Sequence, residues 1–226
     1  MNQTIDKLYN NPDDKNIEDN FQFILFGGTG DLAHNKIIPA FYNLAAKDIL
    51  PDHYTIIATG RRYDNKNEYL NNLYASLENK KEKIDNRIWQ SLTDHIEYFQ
   101  LSFKEPNDFE RLRQRLLEKS KREKISNRIF YLATAPKFFA EIAENLKEFN
   151  LLNAGFEHSD SRLVIEKPFG HDFESAQKLN NTLSNIFSEK NIFRIDHYLG
   201  KEMIQNIMVI RSVSYTHLTL PTKRIV

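Results

Sequence analysis

FQFILFGGTGDLA, residues 21–33, decides the fold. Its first six residues form a short continuous apolar run, which suits a strand buried on both faces. Gly28-Thr29-Gly30-Asp31-Leu32-Ala33 then fits G-x-G-x-x-G/A, and Ala33, Ile37, Ala40, Phe41 and Leu44 follow at helical spacing. The glycine pattern alone is weak evidence. A strand before it and an amphipathic helix after it are the context it requires. The first glycine permits the tight turn, the second lets backbone approach a pyrophosphate, and Ala33 lets helix and strand pack closely. The helix N-terminus then faces the anion. An ordinary strand-to-helix turn accounts for this arrangement less well than a dinucleotide site does. Pro39 interrupts the helical pattern and predicts a kink.

Outward from this stretch, strands and helices alternate. YTIIATG (54–60), HIEYFQLSF (95–103), RIFYLAT (128–134), RLVIEK (162–167) and NIFRID (191–196) read as strands. Between them lie helical stripes: Tyr69, Leu70, Leu73, Tyr74 and Leu77; Ile84, Ile88, Trp89 and Leu92; Phe109, Leu112, Leu116 and Leu117. Phe138, Phe139, Ile142, Ala143, Leu146 and Phe149 give the cleanest stripe, and Ala176, Leu179, Leu183, Ile186 and Phe187 another. Met203, Ile204, Ile207 and Met208 form the last. Such alternation predicts an α/β fold, a Rossmann-like doubly wound parallel sheet with helices on both faces. Ligands bind such sheets at the carboxyl ends of the strands.

Composition narrows the function classes. With 226 residues and 40% hydrophobic content, the chain can bury a core of ordinary size. Its formal net charge is zero, which argues against nucleic acid as a partner. No apolar run reaches membrane-spanning length, so no membrane partner is expected. Residues 1–20 lack the apolar core of a signal peptide and read as a polar, disordered arm. Cysteine is absent, which excludes disulfides and thiolate metal sites and favours a cytoplasmic location. No metal site is expected.

The strand ends carry the chemistry. After the second strand an NAD site usually has an acid on the ribose 2′-OH. Here Arg61 and Arg62 stand there instead. Cations suit a 2′-phosphate, so NADP is favoured, with NAD possible. Arg61, directly after Gly60, is the candidate; for Arg62 a solvated surface role serves equally well. Lys167 ends another strand, before Pro168, where the X-Pro bond favours extended geometry and permits cis. RIDHYLGKE (194–202) closes the next strand at a helix entry. His197 and Lys201 are placed there to hold a phosphate. Asp196 is placed to orient a catalytic His. An N-cap Asp, a satisfied His and a surface Lys would each be commoner singly; together, at a ligand edge, they favour a site. His197 could act as the general base, but would then be lost as a phosphate ligand.

GGTGDLA, NRIFYLATAP, EKPFG and RIDHYLGKE, in this order, resemble glucose-6-phosphate dehydrogenases over about residues 21–211. The resemblance implies oxidation of glucose 6-phosphate to its 6-phosphoglucono-lactone, with hydride transfer to NADP⁺, the first step of the pentose phosphate pathway. It implies that Gly27, Gly28, Thr29, Gly30, Asp31 and Leu32 cradle the cofactor, that Arg61 meets the 2′-phosphate, and that Tyr131 lies by the cofactor. Lys167 would reach cofactor and substrate. His197, Tyr198 and Lys201 would bind the sugar phosphate, with Asp196 and Lys201 the catalytic candidates. Asp196 would orient a general base, a second His in a β+α substrate domain missing from this chain. The whole protein is expected to be a homo-oligomer. His34-Asn35 departs from the family, which usually has basic residues there; Lys36 keeps the pattern.

These readings divide the chain into the arm (1–20), a dinucleotide-binding domain (21–199), the start of the substrate domain (200–211) and a tail (212–226). The helical pattern fails at Ser212, and VSYTHL resembles a translated sequencing adaptor, so the tail is read as non-native and His217 is not taken as the base. A fragment of this kind is expected to be inactive alone. A non-catalytic NADP-binding module and a related sugar NAD(P) oxidoreductase are the alternatives.

Overall fold

A computed structural model of the chain describes residues 20–79, 83–155 and 160–195. The expected segments 200–211 and 212–226, and residues 1–19 of the arm, lie outside them. Asn20, assigned to the arm, is buried, and its carbonyl accepts the Asn127 side-chain amide at 3.1 Å.

Apolar runs make the strands. β1 (Phe21–Phe26), β2 (Tyr54–Gly60), β3 (Ile96–Gln100), β4 (Asn127–Leu132), β5 (Asp160–Glu166) and β6 (Ile192–Ile195) form one sheet. Every pairing is parallel, in the order β3-β2-β1-β4-β5-β6. The doubly wound expectation holds, and the order reverses between β1 and β4. That junction is the switch point at which open α/β sheets bind ligands.

Side chains alternate across the strands, so the sheet feeds two cores. Phe23, Leu25, Ile56, Ala58, Ile129 and Tyr131 face one; Ile24, Phe26, Ile57, Phe130 and Leu132 face the other. The first core is covered by α1 (Ile38–Ala46), α2 (Lys66–Glu78) and α3 (Asn86–Asp94). The second is covered by α4 (Pro106–Glu123), α5 (Phe139–Glu148) and α6 (Phe173–Ser184). Each fully buried large apolar side chain contributes about 1.5–3 kcal/mol.

Before Pro39, where a kink is expected, the helix changes its hydrogen bonding. Helical backbone runs over 31–46, but Ala33–Ile37 is a π-helical turn, and the Ile38 N–H reaches back to the Ala33 carbonyl. Pro39 has no N–H to donate, and a widened turn before it absorbs the mismatch.

At the opposite end of the sheet, Arg128 is fully buried yet satisfied. It donates to Gln22 Oε1 (2.9 Å), Ser120 Oγ (3.2 Å) and the Leu151 and Asn153 carbonyls (2.6 and 2.9 Å). Burial, with a smaller contribution from Arg113, pulls its pKa down to about 10. The family-like Asn127-Arg128 pair therefore anchors the fold, away from the ligand edge.

Candidate functional site

The site is built where β1 and β4 end. Gly27 follows β1 with φ +80°, a conformation that glycine adopts without strain. A Cβ there would lie 2.4 Å from the Ala133 carbonyl oxygen, so the turn sits directly against the end of β4. The Gly28 N–H donates to the Thr59 carbonyl at 2.8 Å, and the Gly30 N–H to the Gly27 carbonyl at 2.9 Å. These two bonds fix the turn to β2 and close it on itself. Among the described residues, a Cβ on Gly30 would meet only the Gly27 oxygen, at 3.2 Å, so they leave its other side open. Ala33 is fully buried, as close helix–strand packing requires. The backbone N–H groups of Asp31 and Leu32 lie in the first helical turn, where an α-helix leaves donors without internal partners, and that of Thr29 lies in the turn just before it.

β2 delivers the next group. A Cβ on Gly60 would lie 2.5 Å from Thr29 Cγ2, so the glycine turn and the end of β2 are in contact. Arg61 and Arg62 follow, both exposed. His34 lies on the same side. Its Nδ1 is 3.3 Å from Ser76 Oγ, and its Nε2 is buried with no partner among the described residues. Burial, and then the charge on Arg62, hold its pKa below the ordinary histidine value, with Asp31 partly opposing. The ring is therefore neutral at pH 7, and the two arginines carry the local positive charge.

From β4, Ala133 donates to the Phe26 carbonyl at 2.9 Å, and Thr134 follows. Thr134 Oγ1 is buried and unpartnered among the described residues, an orphaned polar atom beside the glycine turn. Tyr131 lies one pleat below in the core, fully buried, and its hydroxyl donates to Glu166. Burial first, then the Glu166 carboxylate, push the phenol pKa far up, so it stays protonated. Glu166 ends β5. Lys167 comes next, exposed, joined to Pro168 by a cis bond, and its N–H reaches the Ile195 carbonyl at 3.4 Å.

Gly27 through Leu32, Arg61 and Lys167 thus line one edge of the sheet, with Tyr131 behind them. Asp196, His197, Tyr198 and Lys201 lie outside the described residues. The open face of Gly30, the unpaired Thr134 hydroxyl and the exposed arginine pair fit a phosphorylated dinucleotide. Sequence reading missed Thr134, Glu166 and Tyr69, whose hydroxyl donates to the Gly28 carbonyl at 3.1 Å. Tyr69 stands out in sequence only as one member of an apolar stripe.

Residues 24–206 match the family described as glucose-6-phosphate dehydrogenase, NAD binding domain. The chain belongs to the glucose-6-phosphate dehydrogenase family. It is 37% identical over 193 residues to the glucose-6-phosphate 1-dehydrogenase of Chlamydia muridarum, covering 83% of this chain and 38% of that one. The Leuconostoc mesenteroides enzyme is 39% identical over 189 residues, covering 82% of this chain and 37% of that one. Among solved structures, the Mycobacterium avium glucose-6-phosphate 1-dehydrogenase superposes with TM-score 0.70 at 28% identity, over 85% of this chain and 39% of that one. A glucose-6-phosphate dehydrogenase in complex with its substrate glucose-6-phosphate gives TM-score 0.71 at 30% identity, over 87% and 40%. The chain therefore spans about two fifths of the length of these relatives. Among the described residues, no helix is long and apolar enough to cross a membrane.

Proposed function

We propose that this chain is the dinucleotide-binding portion of a dehydrogenase that oxidises glucose 6-phosphate to 6-phosphoglucono-lactone, using NADP⁺ in preference to NAD⁺. The observation that carries the reading is the closed glycine turn at the β1–β4 switch point, with Arg61 and Arg62 at the adjoining end of β2. NADP⁺, when bound, supplies the hydride acceptor. Gly27–Leu32 hold its pyrophosphate through backbone donors and the helix N-terminus. Arg61 pairs with the 2′-phosphate, a charge-assisted contact that NAD⁺ cannot make. Lys167, at the end of β5, reaches toward cofactor and sugar. In the family motif RIDHYLGKE, His197, Tyr198 and Lys201 bind the sugar phosphate. Asp196 orients a histidine base carried by a following β+α domain, and that base takes the proton of the hydroxyl being oxidised. We place the whole enzyme in the cytoplasm as a homo-oligomer.

The test is turnover by the protein expressed from its whole coding sequence. NADPH formation at 340 nm with glucose 6-phosphate is the expected result. A free sugar outperforming its 6-phosphate would make this a different sugar oxidoreductase. NADP⁺ binding without turnover of any sugar would make it a binding module.

A further inference from the structure

Three tyrosines and one histidine meet directly beneath the two loops assigned to the cofactor. Tyr69 is fully buried in α2, Tyr63 follows the arginine pair, and Tyr98 comes from β3. Tyr69 and Tyr98 stack with centroids 5.1 Å apart. Tyr63 lies 5.7 Å from Tyr69 and 5.9 Å from Tyr98. His34 meets Tyr69 edge-on at 5.9 Å. Packing alone would be satisfied by phenylalanine. The hydroxyls instead go to backbone, and to two different loops. Tyr69 Oη donates to the Gly28 carbonyl at 3.1 Å. Tyr98 Oη accepts the Tyr63 N–H at 3.3 Å, immediately after Arg62.

Each bond sets the orientation of a peptide. In a trans peptide the C=O and N–H point in opposite directions. With the Gly28 carbonyl held down toward Tyr69, the Thr29 N–H is turned away from the core, toward the side where the pyrophosphate would lie. With the Tyr63 N–H held by Tyr98, the Arg61-Arg62 segment is fixed at the sheet edge. Burial raises the pKa of both phenols, so the hydroxyls keep their protons at working pH.

We propose that Tyr69 and Tyr98 are positioning residues for the dinucleotide: Tyr69 sets the pyrophosphate turn and Tyr98 sets the 2′-phosphate loop. This rests on the dinucleotide reading above. The two bonds predict different signatures. Both dinucleotides contain the pyrophosphate, so Tyr69→Phe weakens NADP⁺ and NAD⁺ alike, by about five- to tenfold, the scale of one buried hydrogen bond. Only NADP⁺ contains the 2′-phosphate. Tyr98→Phe therefore weakens NADP⁺ by about three- to fivefold and leaves NAD⁺ unchanged, lowering the selectivity ratio.

The experiment titrates NADP⁺ and NAD⁺ into the full chain, wild type and each variant, by calorimetry, with cofactor-free thermal melts alongside. A merely structural tyrosine moves the melt and leaves the affinities of the folded protein alone, so the shared loss of affinity decides for Tyr69 and the NADP⁺/NAD⁺ ratio decides for Tyr98. Unchanged affinities in Tyr69→Phe, or an unchanged ratio in Tyr98→Phe, overturn the proposal while wild-type binding still stands. Should Tyr69→Phe fail to fold, the Tyr98→Phe ratio decides alone. Absence of binding by folded wild type overturns both this inference and the reading beneath it.

Discussion

Arg61 is exposed, directly follows Gly60, and stands beside the Thr29 contact that joins β2 to the glycine turn. It is therefore placed to meet an anion without distorting the fold. Arg61→Ala should weaken NADP⁺ by about 1.5–3 kcal/mol, the worth of a charge-assisted hydrogen bond. NAD⁺ should be nearly unaffected. A fluorescence titration of the two dinucleotides measures this, and equal weakening of both would refute the 2′-phosphate role. Gly28, Gly30 and Arg61 were legible in the sequence as candidates because each stands just after a strand. Tyr69 was not. It stands in one stripe with Leu73 and Leu77, and its hydroxyl partner lies 41 positions away, a pairing that no local periodicity encodes. Thr134 was hidden for the opposite reason: its hydroxyl is notable only because it has no hydrogen-bond partner among the described residues. Tyr131 was expected by the cofactor, and its hydroxyl goes to Glu166, the neighbour of Lys167.

Elements were legible in kind, less so in their ends. The run 95–103 read as one strand, yet β3 stops at Gln100, which pairs with Gly60, the last residue of β2. Likewise 128–134 loses its last two residues because Leu132 pairs with Phe26, after which Gly27 turns away. A strand ends where its partner ends, and that partner is not written in the strand itself. Helix starts are more local. The stripe beginning at Ile84 becomes a helix only after Asp85, whose carboxylate accepts from the Arg87 and Ile88 amides. Asn65 performs the same service for α2, accepting from the Glu68 N–H at 3.0 Å, one turn before Tyr69. Asn65→Ala should cost about 1 kcal/mol of stability in urea denaturation. Indifference of the denaturation midpoint would mean that packing of Tyr69, Leu73 and Leu77 alone holds that end of α2.

On the scale of the whole molecule, the alternation of apolar runs and helical stripes fixed the class, a parallel sheet covered on both faces. Alternation does not specify which strands are neighbours. The reversal between β1 and β4 emerges only from the pairing, and it brings Gly27 against Ala133, residues from opposite halves of the sheet. That junction is what converts a glycine pattern into a shaped site, with cations from β2 on one side and Lys167 from β5 on the other. The central claim is that this site takes NADP⁺. Titration of NADP⁺ and NAD⁺ into the 226-residue chain by calorimetry tests it most directly. The account predicts one saturable site per chain that binds NADP⁺ more tightly than NAD⁺; a chain folded by circular dichroism that takes up neither dinucleotide would contradict it.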